Sequence, residues 1–322
     1  MKKFFVLLLL LLTAGAMAAE FVNSKQVGFR KFSPELAGKL RIRQAWNSQE
    51  ANGEIYLITT PDGKVTLVDC GWGYLENNPA KFHYSMLYPA LAEQKIRHID
   101  RIIITHPHGD HIGALPILLR KKDLTVGELC WASPDAGLLQ KHYSLGLKYQ
   151  KEALAICRKR NIPVRELKDG DVLTLGKDVT AAVLTTGFKG SRANGSIWLN
   201  DQSVVFRLQY KTFTMLFTAD CALEEEEYIL KTVNHDLLKC DVYKVAHHGG
   251  SNATSEIFLK AAAPKAAIAS LTGKNAANKN GQRVVKLMKK LNIPYFMSWQ
   301  YPYLSVVTDG KTFEMLNINY PE

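Results

Sequence analysis

Three histidines and an aspartate fall within six residues in the string His106-Pro107-His108-Gly109-Asp110-His111. Neutral imidazoles and a carboxylate are ligands suited to zinc, manganese or iron. His106 and His108 lie two apart in an extended segment, so both rings can point the same way. Asp110 and His111 sit where the chain turns into a helix and can face a second ion nearby. Two further strand ends carry like groups. Phe213–Thr218 leads into Ala219-Asp220, and Val242–Ala246 leads into His247-His248-Gly249-Gly250. Ligands at strand ends on one edge of a sheet converge on one site, where loops carry function. The chemistry such a set supports is metal-assisted hydrolysis. A bound water, acidified to near neutral pH, attacks the substrate, Asp110 orients it, and a second ion steadies the leaving oxygen.

The elements that must position these groups read as one continuous α/β chain. Strands are expected at Leu40–Trp46, Glu54–Thr60 and Val65–Val68, the last two joined by a Pro61-Asp62-Gly63-Lys64 turn. A helix is expected between Pro79 and Lys95. Ile99–Thr105, with its Ile102-Ile103-Ile104 run, reads as a buried strand. An apolar helix to Arg120, a strand near Leu129 and a helix from about Asp135 to Arg160 follow. Asp171–Thr185 reads as strand with a turn at Gly176, and Gly187–Gly195 as a basic, Gly-rich loop. Ser203–Tyr210 and Thr212–Thr218 form a strand pair, and Glu224–Glu227 opens a helix at its positive end. Thr254–Ala263, Ala266–Ser270 and Arg283–Leu291 alternate helix, strand, helix. Tyr303–Ile318 holds two strands around Asp309-Gly310. Strands in two batches with helices between them imply two sheets packed face to face, helices outside.

The 322 residues are 47% hydrophobic and 22% charged, which excludes a disordered or collagen-like chain. Lys2 and Lys3, the apolar run Phe4–Leu12 and Ala16-Met17-Ala18 have the form of a secretory signal peptide, residues 1–18. The expectation is an exported protein, periplasmic or secreted, with one domain over 19–322. No other apolar run approaches spanning length, so no stable membrane insertion is expected. The five cysteines, Cys70, Cys130, Cys157, Cys221 and Cys240, are odd in number and contain no C-x-x-C pair, so a thiolate zinc cage is not expected and no disulfide can be assigned. Cys70 and Cys221 each follow an Asp, and strand alternation turns them into the core. A formal charge of +11 suits an anionic partner.

The string H-x-H-x-D-H, a strand-end Asp and then a strand-end His resemble the metallo-β-lactamase superfamily, and Asp69-Cys70-Gly71 is similar to its first motif. The resemblance implies a four-layer αββα sandwich, α/β (α+β) in class, with one or two metals between the sheet edges. Asn200-Asp201-Gln202-Ser203, Thr218-Ala219-Asp220, His247-His248-Gly249-Gly250-Ser251 with Thr254-Ser255, and Asn52-Gly53-Glu54 are similar to segments of one subgroup, the hydrolase domain of ComEC competence proteins, thought to act on DNA. It implies His106 and His108 as first-metal ligands and Asp110, His111 and His247 as second-metal ligands. Asp220 would bridge, and His248 is the alternative to His247 or an outer partner. Asp110 and Asp220 are the candidate catalytic carboxylates. One or two divalent ions are expected, zinc first, with manganese as the other candidate.

Two departures stand out. No His lies between His142 and His235, where most of the superfamily has one, so the first metal is a ligand short. At Asn278-Lys279-Asn280-Gly281-Gln282-Arg283, Gln282 and Arg283 replace the subgroup's His and Pro; Gln can hydrogen-bond a phosphate but cannot carry a proton. A phosphodiester or nucleic acid is the favoured substrate. Lys189 and Arg192 in the Gly-rich loop, His248, Ser251 and Gln282 are its candidate contacts. Ser251, Thr254 and Ser255 precede a helix that could hold an anion or simply be capped. Trp72, Tyr74, Trp299, Tyr301 and Tyr303 could stack bases or pack. The alternatives are a lactone, thioester or β-lactam substrate on the same fold, or a binding protein without turnover. Protein partners cannot be read from these residues.

Overall fold

The computed structural model describes residues 18–23, 26–45, 53–73, 87–301 and 303–320. The expected signal segment up to Met17, Asn52, Tyr74, His83 and the first part of the expected Pro79–Lys95 helix lie outside them.

The chain first builds β1 (Glu20–Phe21), β2 (Gly28–Lys31), β3 (Leu40–Gln44), β4 (Tyr56–Thr59), β5 (Val65–Val68), β6 (His98–Ile104), β7 (Thr125–Trp131) and β8 (Val164–Glu166). A second sheet follows from β9 (Val172–Gly176), β10 (Val179–Thr186), β11 (Val204–Tyr210), β12 (Phe213–Phe217), β13 (Val242–Lys244), β14 (Ala266–Ala269) and β15 (Tyr295–Met297). Then β16 (Leu304–Thr308) and β17 (Thr312–Asn319) return to the first sheet. Its order is β1-β17-β16-β3-β4-β5-β6-β7-β8, with β2 also on β17; the second runs β15-β14-β13-β12-β11-β10-β9. The tail strands thus close the first sheet, β16 lying antiparallel to β3. The expected hairpin forms, with Gly63 at φ 80° and the Thr60 amide on the Lys64 carbonyl.

Side-chain alternation sorts the core into layers. Ile42, Ile58 and Ile103 of the first sheet meet Val183, Phe206, Phe217 and Ile268 of the second in the central layer. Ile102 and Ile104 face the other way, onto the Leu115–Arg120 and Ala136–Arg160 helices. Leu216, Tyr243 and Ala267 pack outward against the Leu223–Thr232, Glu256–Ala262 and Lys279–Lys290 helices. The result is the αββα sandwich expected. Among the described residues no helix is long and apolar enough to cross a membrane.

Parallel pairing decides where chemistry can gather. β5 and β6 are parallel, as are β12, β13, β14 and β15. Parallel neighbours end on the same edge of their sheet, the edge where α/β proteins place ligands. Asp69 follows β5, Thr105-His106 follow β6, Asp220 follows β12, the His247-His248 pair follows β13 and Ser270 follows β14.

Candidate metal centre

Asp220 is the focus of that edge. Its Oδ2 lies 3.3 Å from His111 Nε2, 3.6 Å from His248 Nε2 and 3.9 Å from His106 Nε2. His248 Nε2 is also 3.4 Å from Asp110 Oδ2. Two sets of donor atoms result, each gathered within 4.8 Å: His106, His108 and Asp220, and Asp110, His111, Asp220 and His248.

These residues fit a cation. The ring nitrogens His108 Nε2, His111 Nε2 and His248 Nε2 are shielded from solvent and have no hydrogen-bond partner. The other nitrogen of each of these rings is engaged: His108 Nδ1 lies 2.9 Å from His106 Nε2, His111 Nδ1 lies 2.7 Å from Asp69 Oδ2, and His248 Nδ1 lies 2.9 Å from the Ser270 carbonyl oxygen. With Nδ1 donating, Nε2 of the neutral ring is the nitrogen that can offer its lone pair to a cation seated beside the shared carboxylate. Burial pushes the His108 imidazole down to about 4, and burial together with His111 keeps His106 well below the ordinary histidine range. Both are therefore neutral and able to ligate. Burial also works against charge on His111 and His248, but Asp220 with Asp69, and Asp220 with Asp110, outweigh it and raise them. Burial would raise Asp110, yet the neighbouring imidazoles of His248, 3.4 Å away, and His111 hold it at about 2.

The turn at Ala246–Gly249 decides which of two adjacent histidines faces the centre. His247 (φ 46°) and His248 (φ 49°) are both left-handed, so strand alternation does not continue through them. His248 is buried in the Asp110–Asp220 set. His247 stands 4.0 Å from Asp220 Oδ2, half-exposed, its Nδ1 2.6 Å from Asn252 Oδ1 and its Nε2 3.2 Å from Asn200 Nδ2. The fourth partner expected at His247 is thus placed at His248. Asp69 (φ 56°) and Ala219 (φ 46°) are left-handed too. Such conformations cost about 1–3 kcal/mol each and persist where surrounding bonds over-determine them. Here the His247 amide donates to the Ala219 carbonyl, and the Arg283 guanidinium donates to the carbonyls of Gly250 (2.8 Å), Ala253 (2.6 Å) and Thr254 (3.3 Å). Arg283, expected only as a replacement for a proline, clamps the metal loop.

A buried outer layer orients the donors. Asp69 accepts from the Thr105 amide (2.8 Å) and hydroxyl (2.7 Å) and from His111. Lys244 is buried, 2.8 Å from Glu54 Oε2 and 3.5 Å from Asp220 Oδ1, and donates to the Ala219 carbonyl. Ser270 Oγ donates to Glu54 Oε1 at 2.8 Å. The Asp69→Asn variant tests this layer. Its amide nitrogen would face His111 Nδ1, forcing that nitrogen to accept and moving the proton to Nε2. Metal affinity is expected to fall about 10–100-fold with little change in melting temperature, read by competition with a chromophoric chelator. Unchanged affinity would remove Asp69 from this role.

Tyr143 was not anticipated. It breaks the Ala136–Arg160 helix at φ −154°, bringing its ring 5.0 Å from that of His108 and its hydroxyl to the Gly109 amide at 3.3 Å. Trp72 covers Gly109 so closely that a Cβ there would sit 2.5 Å from the indole, which is why this position of the string is glycine.

The expected substrate contacts are dispersed. Lys189 and Arg192 are exposed; the Arg192 amide and Nε turn to Glu224, at 2.8 and 3.9 Å. Ser251 is exposed. Gln282 is exposed and donates to the Ala276 carbonyl at 3.0 Å. The amides of Thr254 and Ser255 are taken by the Glu226 carboxylate (2.7 and 2.9 Å), and Ser255 caps its helix through Phe258. That helix start already carries an internal anion. Tyr303 packs under Arg43 at 5.0 Å. All five cysteines are buried free thiols, Cys70 and Cys221 among them.

The chain is similar in sequence to several known proteins. ComE operon protein 3 of Bacillus subtilis is 27% identical over 221 residues, covering 68% of this chain and 26% of that protein. Transcription termination factor FttA of Cenarchaeum symbiosum is 35% identical over 100 residues, 30% of this chain and 15% of that protein. Probable RNase MJ4 of Methanocaldococcus jannaschii is 38% identical over 65 residues, 20% of this chain and 13% of that protein. The chain therefore spans about a quarter or less of the length of these relatives. Residues 50–274, well over half the sequence, match the family profile described as the metallo-beta-lactamase superfamily, a family of metal-dependent hydrolases, and the chain belongs to that superfamily.

Proposed function

We propose that the protein is an exported phosphodiesterase acting on nucleic acid, formed as one domain over residues 19–322. One or two divalent ions, zinc in the first place, would be held by His106, His108 and Asp220 and by Asp110, His111, Asp220 and His248. The observation that carries the metal reading is the set of buried, unpartnered imidazole nitrogens turned toward one carboxylate. A divalent ion bound there supplies a Lewis acid and acidifies a water to near pH 7. Asp110, an anion at neutral pH, would orient the attacking water. His106, His108 and Asp220 are three donors only, which leaves room for a substrate oxygen. The phosphodiester assignment rests on the name of the RNase relative and on the basic charge, +11 for the whole sequence and 11 − 2 = +9 without Lys2 and Lys3. Export rests on the form of residues 1–18.

The test is metal content of the purified protein together with turnover of bis-p-nitrophenyl phosphate and of single-stranded DNA, repeated on His108→Ala. The expected result is bound metal and turnover, the variant losing more than the roughly 10–100-fold that removal of an outer partner costs. Metal without turnover of either ester would move the substrate to a lactone, thioester or β-lactam. Protein that stays metal-free after exposure to zinc or manganese would sink the hydrolase reading and leave a binding protein.

A further inference from the structure

From Ile257 to Thr308 the chain holds eight Lys and Arg and no Asp or Glu. Four of the eight are tied. Lys260 and Lys290 pair with Glu256, Lys265 with Asp241, and Arg283 holds the loop carbonyls. The other four, Lys274, Lys279, Lys286 and Lys289, are exposed, and among the described residues none has a carboxylate within ion-pair distance. Along the Lys279–Lys290 helix the exposed positions 279, 282, 286 and 289 repeat every three or four residues and so share one face. The opposite face, Val284, Val285 and Met288, is buried in the core.

One large aromatic stands beside the short Gly273–Ala277 helix that precedes this one. Trp299 is 41% exposed. Its ring lies over Gly273, where an added Cβ would be 3.6 Å away, next to Lys274. The metal centre is a short step further along the same edge. His248 is held by the Ser270 carbonyl at the end of β14; the next residue, Leu271, exchanges two 3.0 Å hydrogen bonds with Ser298 Oγ, and Trp299 follows. Arg283, on the same helix as the lysines, joins it to the loop bearing His248.

We infer that this edge is a track for a single nucleic-acid strand, Trp299 stacking a base while Lys274, Lys279 and Lys286 hold phosphates of the strand that leads into the metal centre. The inference rests on the nucleic-acid reading of the centre and specifies where the strand lies. A basic groove with an exposed aromatic is the combination that binds single strands without sequence preference. An anionic membrane is disfavoured because a helix lying on lipid needs an exposed apolar face, and here that face is buried.

The experiment is fluorescence anisotropy of a labelled oligothymidine with the full protein in chelator, so that binding is read without turnover, over a range of salt. The triple variant Lys274→Gln/Lys279→Gln/Lys286→Gln is expected to weaken binding at least about tenfold at low salt and to flatten the salt slope by about 2, the contribution of three phosphate contacts on a single strand. Trp299→Ala is expected to weaken binding about tenfold with the slope unchanged, and Trp299→Phe to restore most of it. Lys141→Gln/Lys148→Gln/Lys151→Gln, on the other flank, is expected to change neither. The track is overturned if the first triple variant binds like the parent, if the parent fails to bind the strand, or if anionic vesicles bind in preference to it. Strand binding in chelator by a protein that, once loaded with metal, does not cleave the strand overturns the phosphodiesterase reading instead and leaves the track standing.

Discussion

Asp220→Asn is expected to empty both metal positions at once. Its Oδ2 is the one atom shared by the His106–His108 set and the Asp110–His111–His248 set. The amide keeps the shape of the carboxylate and removes its charge. The imidazoles then surround a neutral group, and Asp110 is the one carboxylate left among the donors. Metal per protein, measured by mass spectrometry after dialysis, should fall close to background. Turnover should fall by at least about 10,000-fold, the scale seen when one member of a group acting as a unit is removed. His247→Ala is the matched control. Held by Asn200 and Asn252 and 4.0 Å from Asp220, His247 should be dispensable for most of the metal. Native metal content in Asp220→Asn, or metal loss in His247→Ala equal to it, would refute the arrangement.

Lys244→Met is expected to produce the largest loss of stability. The ammonium is buried between Glu54 Oε2 at 2.8 Å and Asp220 Oδ1 at 3.5 Å, and burial, which would lower it, is outweighed by those two carboxylates. Removing one partner of a buried ion pair leaves uncompensated charge and costs about 3–5 kcal/mol. At about 2–4 °C per kcal/mol the melting temperature should drop by roughly 6–20 °C. Pairing the change with Glu54→Gln removes one of the stranded charges. The double variant should therefore be less destabilised than the sum of the singles, by about 0.5–3 kcal/mol. Strict additivity in thermal or denaturant melts would show that Lys244 and Glu54 do not act as a pair.

The reach of sequence reasoning followed the range of the interactions involved. His106, His108, Asp110 and His111 are set by an extended segment running into a helical turn, so six residues carry their own geometry. Val65–Val68, the Gly63 turn and the Asp135-capped helix are likewise local. The choice between His247 and His248 is not, because two left-handed residues in succession break the alternation by which neighbours are assigned to faces. Gln282 and Arg283 are adjacent on a helix, where one residue turns the side chain by about 100°. Gln282 faces out and Arg283 faces the metal loop, the reverse of what replacing a His and a Pro suggested. Lys244 left one trace, a lone charge in the apolar run Val242–Ala246.

Local periodicity and ligand spacing by themselves determined the two-sheet sandwich, the strand-end placement of the chemistry and most of the donors. Only the tertiary structure decided the rest. Glu226 fills the helix start at Thr254-Ser255, β16 and β17 close the first sheet against β3, Glu54 meets Lys244, and Trp299 lies over Gly273, next to Lys274. Each of these depends on which distant segments come into contact, or on which way a chain turns between them. Burial turns such contacts into requirements, since a buried charge or an unpaired amide must find its partner wherever the fold brings one.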